Sequence, residues 1–441
     1  MILTNELFPS HLKLLQRNYE SALEYYSELR ISGLLLHSGS EEYYFSDDRS
    51  IPFNAYGHYM HWVPINRPDQ FVLVIPGEAP KYLQLVPPDY WYEQGIICEN
   101  WLENNIEIIP ISTIADLENY LKGKKIGYLG PNAKLANSLG IADSAINPEN
   151  LILYLNFKRA YKTEYEIMQL RQANKMAILG HQAARECFLN HGNEYDIHMA
   201  YLQACTILEN DSPYTNIVAL DEKCAILHYQ IKRKGDGRNH KVLLIDAGFR
   251  ENGYGSDITR TSIKDNVVKE FKELVEGVGN IERELVEMVK PGILYPEIHR
   301  AAQERIGQLL LDLTICSGPL DELIYEKVPQ LFMPHGVGHL LGLQVHDIGG
   351  FQQDTIGTSL MPPEDSPSLR NTRLISKDMV FTIEPGLYFI PLLLEPERNT
   401  KRGKLINWQL INELYPYGGA RIEDNVLVTA DGAENLTRQF E

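Results

Sequence analysis

Residues 241–262, KVLLIDAGFRENGYGSDITRTS, put two aspartates into apolar β-sequence on either side of an Asn-Gly pair. Asn252-Gly253 is a strong hairpin signal, because both central residues of a type I′ turn need positive φ. With the turn there, Glu251 pairs with Tyr254 and Gly248 with Asp257, so Asp246 and Asp257 lie diagonally on one sheet face. Two like charges pushed together cost free energy unless a cation lies between them. Taken singly, either aspartate also fits a paired or solvent-facing position. The glycines at 248, 253 and 255 leave room for a ligand to approach the backbone.

Two further carboxylates stand in apolar runs. MVFTIEPGLYF (379–389) places Glu384 at the end of a β-run, before a Pro-Gly turn, and GARIEDNVLVT (419–429) places Glu423 in the middle of another. An unpaired buried carboxylate is costly even after relaxation, so each needs a partner. Arg421, two residues from Glu423 and on the same strand face, would satisfy that one as a simple ion pair; no cation neighbours Glu384 in sequence.

MPHGVGHLLGLQVHD (333–347) adds His335, His339 and His346. The i, i+4 spacing of the first two suggests a helical two-histidine zinc motif. Gly336 and Gly338 argue against it, each costing a helix about 1 kcal/mol relative to Ala, and the motif's general-base Glu is absent. The segment is therefore extended or looped, with the two imidazoles placed separately. Asp246, Asp257, Glu384 and Glu423 carry four negative charges, which two divalent cations would balance, and His339 adds a neutral nitrogen. Oxygen-rich donors with one imidazole suit Mn²⁺, Co²⁺, Fe²⁺ or Zn²⁺ better than a thiolate-type structural zinc. Such a pair can hold a hydroxide at neutral pH and polarise a carbonyl, the general two-metal route to hydrolysis.

Length and charge narrow the partners. A chain of 441 residues predicts two or three domains, and its net charge of −18 repels phosphate backbones and anionic lipid, so neither nucleic acid nor membrane is an expected partner. The N-terminus lacks a basic segment followed by an apolar one, and no stretch approaches the roughly 20 apolar residues of a membrane span, which predicts a cytoplasmic protein. Five scattered cysteines without a C-x-x-C pair read as reduced core thiols.

The order of elements predicts α+β architecture. Residues 9–30 repeat apolar side chains (Leu12, Leu15, Tyr19, Leu23, Tyr26) at helical spacing, and the runs GLLLHS, FVLVIPG, KYLQLV, IEIIPI and KIGYLG read as strands of an N-terminal mixed α/β domain over residues 1–157. Thr163-x-x-Glu166 offers a capping box for a long helix through about 189, opening a second domain, 158–441, with helical stretches at 194–209, 265–289 and 296–313.

The pieces LLIDAG, GYGSDITRT, HGVGHLLGLQVHD, TIEPGLYF and RIEDNVLVT, in this order, resemble the metallopeptidases of the pita-bread fold. SPYTNIVAL, ILHY, LRNTR, YYFSDDRSIPF and VPPDYWYE extend the resemblance over essentially the whole chain, to the bacterial Xaa-Pro dipeptidase (prolidase) family, close to the organophosphorus acid anhydrolases. The resemblance implies a C-terminal pita-bread domain behind a creatinase-like N-terminal domain. It also implies two divalent metal ions per subunit, Mn²⁺ foremost. Asp246 ligates one, His339 and Glu384 the other, and Asp257 and Glu423 bridge them. Glu384 is further implied as proton carrier, with His228, His335 and His346 lining the pocket. Arg370 meets the substrate carboxylate, Arg421 orients the site, and Tyr214 and Tyr295 form pocket walls. The implied reaction is attack by a bridging hydroxide on the carbonyl of a dipeptide ending in proline, with a side activity on organophosphorus triesters. A homodimer is implied as well, Asp47 or Trp91 reaching the partner's site. Two other classes remain open from the residues: a phosphotriester hydrolase using the same centre, and a non-catalytic binding protein on the same fold.

Overall fold

The computed structural model describes residues 2–96 and 98–441. Its contacts divide the chain into two compact units, Met1–Met168 with Asp354–Thr358, and Gln169–Gln353 with Ser359–Glu441.

The first unit is built on five strands, each one of the apolar runs: β1 (Gly33–His37), β2 (Phe71–Val74), β3 (Lys81–Leu85), β4 (Glu107–Ile111) and β5 (Ile126–Leu129). They form one sheet in the order β4-β3-β2-β1-β5, antiparallel at β1/β2 and β2/β3, parallel at β3/β4 and β1/β5. Every residue of β1, β2 and β5 is buried, which is why these strands read as unbroken apolar runs instead of alternating. The first helix spans Ile2–Tyr25, so the expected 9–30 is corrected at both ends. Pro9 lies inside it, at the cost of one backbone hydrogen bond, and the chain leaves the helix for a short 3-10 turn at Ser27–Leu29. Its predicted apolar face, Leu12, Leu15, Tyr19 and Leu23, is buried as expected.

The helix Glu164–Leu189 starts at the predicted capping box. Thr163 Oγ1 accepts from the Glu166 N–H (3.3 Å) and Glu166 Oε2 accepts from the Thr163 N–H (2.8 Å). The three further helices are Glu194–Cys205, Lys269–Met288 and Tyr295–Asp312. The first of these stops short of 209 because Thr206 turns left-handed, with φ +58°.

Ten short strands make up the β-structure of the second unit. They are β6 (Ile217–Leu220), β7 (Val242–Asp246), β8 (Arg250–Glu251), β9 (Tyr254–Gly255), β10 (Thr259–Ile263), β11 (Val380–Ile383), β12 (Gly386–Tyr388), β13 (Gly419–Arg421), β14 (Asp424–Val428) and β15 (Ala433–Asn435). They pair as β10-β7-β6, β11-β14-β15, β12-β13 and β8-β9. Single bridges, Thr259 to Glu423 and Leu340 to Phe381, stitch these sheets together. The hairpin keeps one register throughout, Glu251 opposite Tyr254 and Asp246 opposite Thr259, around Asn252 (φ +47°) and Gly253 (φ +92°). Leu243, Ile245 and Ala247 join an apolar cluster with Phe188, Ile197, Tyr201 and Val218. By strand alternation Asp246 faces the other way.

Two expected settings are corrected. Glu384-Pro385 is not followed by a tight turn: the chain runs on from β11 into β12 and changes sheet there. Glu423 is not in mid-strand but at the break between β13 and β14. All five cysteines are unpaired, with Cys205, Cys224 and Cys316 buried. No helix among the described residues is long and apolar enough to cross a membrane.

Candidate metal centre

The strand ends converge. A cavity of about 420 Å³ in the second unit is lined by Asp246, Asp257, His339, Glu384 and Glu423, together with His228, His335, His346, Arg370 and Arg421. Asp246 closes β7, Asp257 precedes β10, and Glu384 and Glu423 occupy the breaks after β11 and β13. A side chain at a strand break escapes the strict alternation of the sheet, so groups from separate strands can turn to a common point.

His339 is held from behind. Its backbone N–H donates to Thr382 Oγ1 (3.1 Å), and its Nδ1 faces the Leu340 carbonyl at 3.0 Å. A carbonyl only accepts, so Nδ1 carries the hydrogen and Nε2 is left with a lone pair that could ligate. Nε2 lies 3.2 Å from Asp257 Oδ2 and 3.7 Å from Glu384 Oε1. A nitrogen lone pair facing carboxylate oxygens at this range needs a cation or a proton between them. Burial opposes a proton, but the hydrogen bond and charge of Asp257, aided by Glu384, prevail and raise the His339 pKa. Gly338 lets the chain pass closely here: a Cβ there would stand 2.1 Å from the Thr382 carbonyl.

Burial and the Asp257 charge push Asp246 up to about 6 despite Arg421. Burial pushes Glu384 up to about 7, and burial with three neighbouring carboxylates sends Glu423 well above the usual range. Asp257 is raised by burial but brought below its ordinary value by His339. Asp257, His339 and Glu423 each offer a ligand atom within 4.8 Å of the others. These residues fit divalent cations: the donors are hard oxygens and one imidazole, and the four carboxylates share one buried guanidinium. That group, Arg421, donates to Asp246 Oδ2 (2.6 Å), Thr259 Oγ1 (3.0 Å) and Tyr388 Oη (3.0 Å).

The predicted pocket residues divide. His228, His335, His346 and Arg370 line the cavity. His346 stands edge-on to His339, ring centroids 4.4 Å apart. His335 is fully engaged: its Nδ1–H donates to the Gly336 carbonyl (2.7 Å) and its Nε2 accepts from Tyr388 Oη (2.9 Å). Arg370 is exposed and has no carboxylate partner among the described residues. Tyr214 and Tyr295, expected as pocket walls, stand behind the lining. Tyr214 Oη donates to Asp246 Oδ1 (2.7 Å) and the fully buried Tyr295 to the Thr382 carbonyl (2.7 Å), so both hydroxyls are spent on the protein.

Sequence reasoning missed the residues that orient these side chains. Thr259 Oγ1 donates to Glu423 Oε2 (2.6 Å), Thr382 holds His339, and Tyr388 links Arg421 to His335. Asn425 accepts from the Asp257 N–H (3.1 Å). Their signal lay in the same strand segments, but threonine and tyrosine are ordinary strand residues and carry no charge to flag them.

Residues 168–430 match the sequence model of Metallopeptidase family M24, and residues 6–157 that of the Xaa-Pro dipeptidase N-terminal domain. The chain is 41% identical over 438 residues to the Xaa-Pro dipeptidase of Pseudoalteromonas translucida, and 42% identical over 439 residues to that of Pseudoalteromonas haloplanktis; in both pairs the match covers 98% of each protein. The fold is shared with aminopeptidase P from E. coli in its low-pH form, with a TM-score of 0.74 at 23% identity, covering 99% of this chain and 96% of that one. With its carboxylates and imidazole gathered at the strand ends, the chain belongs to metallopeptidase family M24 of the pita-bread fold, on the branch of the bacterial Xaa-Pro dipeptidases.

Proposed function

We propose that the chain hydrolyses dipeptides with a C-terminal proline. The observation that carries this reading is one cavity holding four carboxylates, the His339 Nε2 and, at its rim, the unpaired cation Arg370. The full-length similarity to Xaa-Pro dipeptidases supports it.

Asp246, Asp257, His339, Glu384 and Glu423 would hold two divalent cations, Mn²⁺ by preference, which when bound would supply an activated water and polarise the scissile carbonyl. Glu384 accepts the proton of the attacking water and delivers it to the leaving proline nitrogen. His228 and His346 hydrogen-bond the carbonyl oxygen as it gains charge, and His335 walls the pocket. Arg370 receives the substrate carboxylate as a fork, which suits a dipeptide because its carboxylate lies one residue beyond the scissile bond. Arg421 and Tyr214 position Asp246, and Tyr295 positions the Thr382 segment behind His339. Proline has no N–H and a fixed φ, so a site of this kind must hold its substrate by the two ends and the carbonyl instead of by strand pairing. The division at 157/158 separates this catalytic part from the N-terminal domain. We also infer a cytoplasmic homodimer, in which Asp47 or the exposed Trp91 of one copy reaches the site of the other; sedimentation at the mass of one chain would exclude it.

The test is a steady-state comparison of Ala-Pro, Ala-Pro-Ala and a fluorophosphate on one Mn²⁺-loaded preparation. Ala-Pro is the expected best substrate, and Arg370→Ala should raise its KM about tenfold or more by removing a charge-assisted pair. Preference for the tripeptide would point to an aminopeptidase. Negligible peptide turnover beside strong fluorophosphate hydrolysis would invert the main and side activities.

A further inference from the structure

At the break between β13 and β14, Glu423 is joined to β10 by one isolated bridge, its N–H donating to the Thr259 carbonyl (3.1 Å). Thr259 turns its hydroxyl to the Glu423 carboxylate, and by strand alternation the next residue, Arg260, leaves β10 on the opposite face. Its guanidinium returns to the break from behind. Nη1 donates to the Glu423 carbonyl (2.8 Å) and the Thr259 carbonyl (2.9 Å), Nη2 to Asp424 Oδ1 (2.6 Å), and Nε to Glu441 Oε1 (2.5 Å).

Asp424 is fully buried and anchored away from the cavity. Its Oδ2 accepts from Asn435 Nδ2 (2.6 Å) and stands 2.7 Å from Arg438 Nε, while Arg438 Nη2 donates to Oε2 of the buried Glu282 (2.6 Å). Desolvation offsets much of the attraction in such a network, so it adds little to stability; what it supplies here is fixed geometry. Geometry is what Glu423 needs, because the charges of Asp257, Glu384 and Asp246 repel its carboxylate and one backbone bridge is a slight restraint. A planar guanidinium can meet a carbonyl through one nitrogen and a carboxylate through the other. A lysine ammonium is a single point and cannot span both.

We propose that Arg260 is a positioning residue for the metal centre: by holding the Glu423 carbonyl and the Asp424 carboxylate from behind, it fixes where the Glu423 carboxylate stands. The inference rests on the set of metal-holding residues proposed above. It is tested by calorimetric Mn²⁺ titration of the metal-free full chain, in the wild type, Arg260→Lys and Asp424→Asn, with Ala-Pro kinetics beside it. Arg260→Lys should bind the same number of ions per chain with Kd raised about tenfold or more, the scale for losing an outer partner of a ligand. Its kcat should fall while KM stays within about twofold, since Arg370 is untouched. Asp424→Asn keeps its shape and removes only the charge on Nη2, so it serves if the lysine variant fails to fold; its Kd should rise severalfold. Wild-type Kd in the folded variants, with or without fewer ions bound per chain, would mean that Arg260 serves folding alone, and overturns the proposal while the metal centre stands. A wild type that binds no Mn²⁺ overturns the metal-holding set and the positioning role together. The binding measurements hold whichever substrate the chain turns over, so a failure of the dipeptidase reading is seen separately, in the Ala-Pro kinetics.

Discussion

Asp257 and Thr259 are two residues apart, yet they act on the centre in different ways. Asp257 faces His339 directly, and Asp257→Asn keeps its shape while removing a charge that the proposed metal centre requires. The variant should retain native circular dichroism and fall below about a tenth of wild-type kcat on Ala-Pro; higher activity would contradict a bridging role. Thr259 is fully buried outside the cavity lining, but its hydroxyl donates to Glu423 and accepts from Arg421 Nε. Thr259→Val leaves both without that partner at nearly constant volume. Loss of an outer partner of a metal ligand typically costs 10–100-fold in affinity or activity, so metal titration should show retention about tenfold weaker or worse. Wild-type affinity in the valine variant would show that Glu423 needs no such support.

At the level of the element, the hairpin and the strand breaks do the positioning. Gly253 at φ +92° belongs to the tight turn that fixes the register from Glu251–Tyr254 to Asp246–Thr259. A β-branched side chain resists that conformation, so Gly253→Val should cost about 1–2 kcal/mol in denaturant unfolding. Activity per folded molecule should fall as well, since a one-residue slip would turn Asp246 from the cavity to the helical layer. A destabilised variant with full specific activity would mean that the ladder holds its register without the turn.

Across a whole compact unit, buried ionisable groups tie stability to pH. In the first unit His11 Nε2–H donates to the His61 carbonyl (2.8 Å), leaving Nδ1 to accept from Thr163 Oγ1 (2.8 Å), and His61 Nε2 lies 3.1 Å from Glu166 Oε1. Burial lowers the His11 pKa from 6.5 to about 4, while Glu166, which burial alone would raise, is brought down to about 2 by His61 and His11. Below pH 6.5 the unfolded chain binds a proton at His11 that the folded chain refuses until about pH 4. Stability therefore falls as pH drops through that window, by up to about 3 kcal/mol at about 1.4 kcal/mol per pK unit. Glu166 adds a loss of the same sign between about 4.5 and 2. Urea unfolding near pH 7 and near pH 5 should show a smaller drop in His11→Asn than in the wild type; parallel drops would exclude His11 as the source.

What could be read from residue order alone was whatever depends on short-range pattern. Short apolar runs gave all five strands of the first sheet, Thr163 and Glu166 gave the start of the long helix, and Asn252-Gly253 gave the register that sets Asp246 beside Asp257. The four carboxylates and His339 were visible because a charge in apolar sequence demands a partner. Strand breaks were not visible: Glu384 and Glu423 lie where one sheet hands the chain to the next, and no local propensity marks that exchange. Nor were Thr259, Thr382 and Tyr388, whose hydroxyls matter only once segments 33 to 164 residues apart close on them. The inward aim of Tyr214 and Tyr295 was likewise settled in three dimensions, by the Asp246 carboxylate and the Thr382 carbonyl that their hydroxyls meet. Periodicity and turn chemistry are properties of neighbours along the chain, whereas the cavity is a property of neighbours in space.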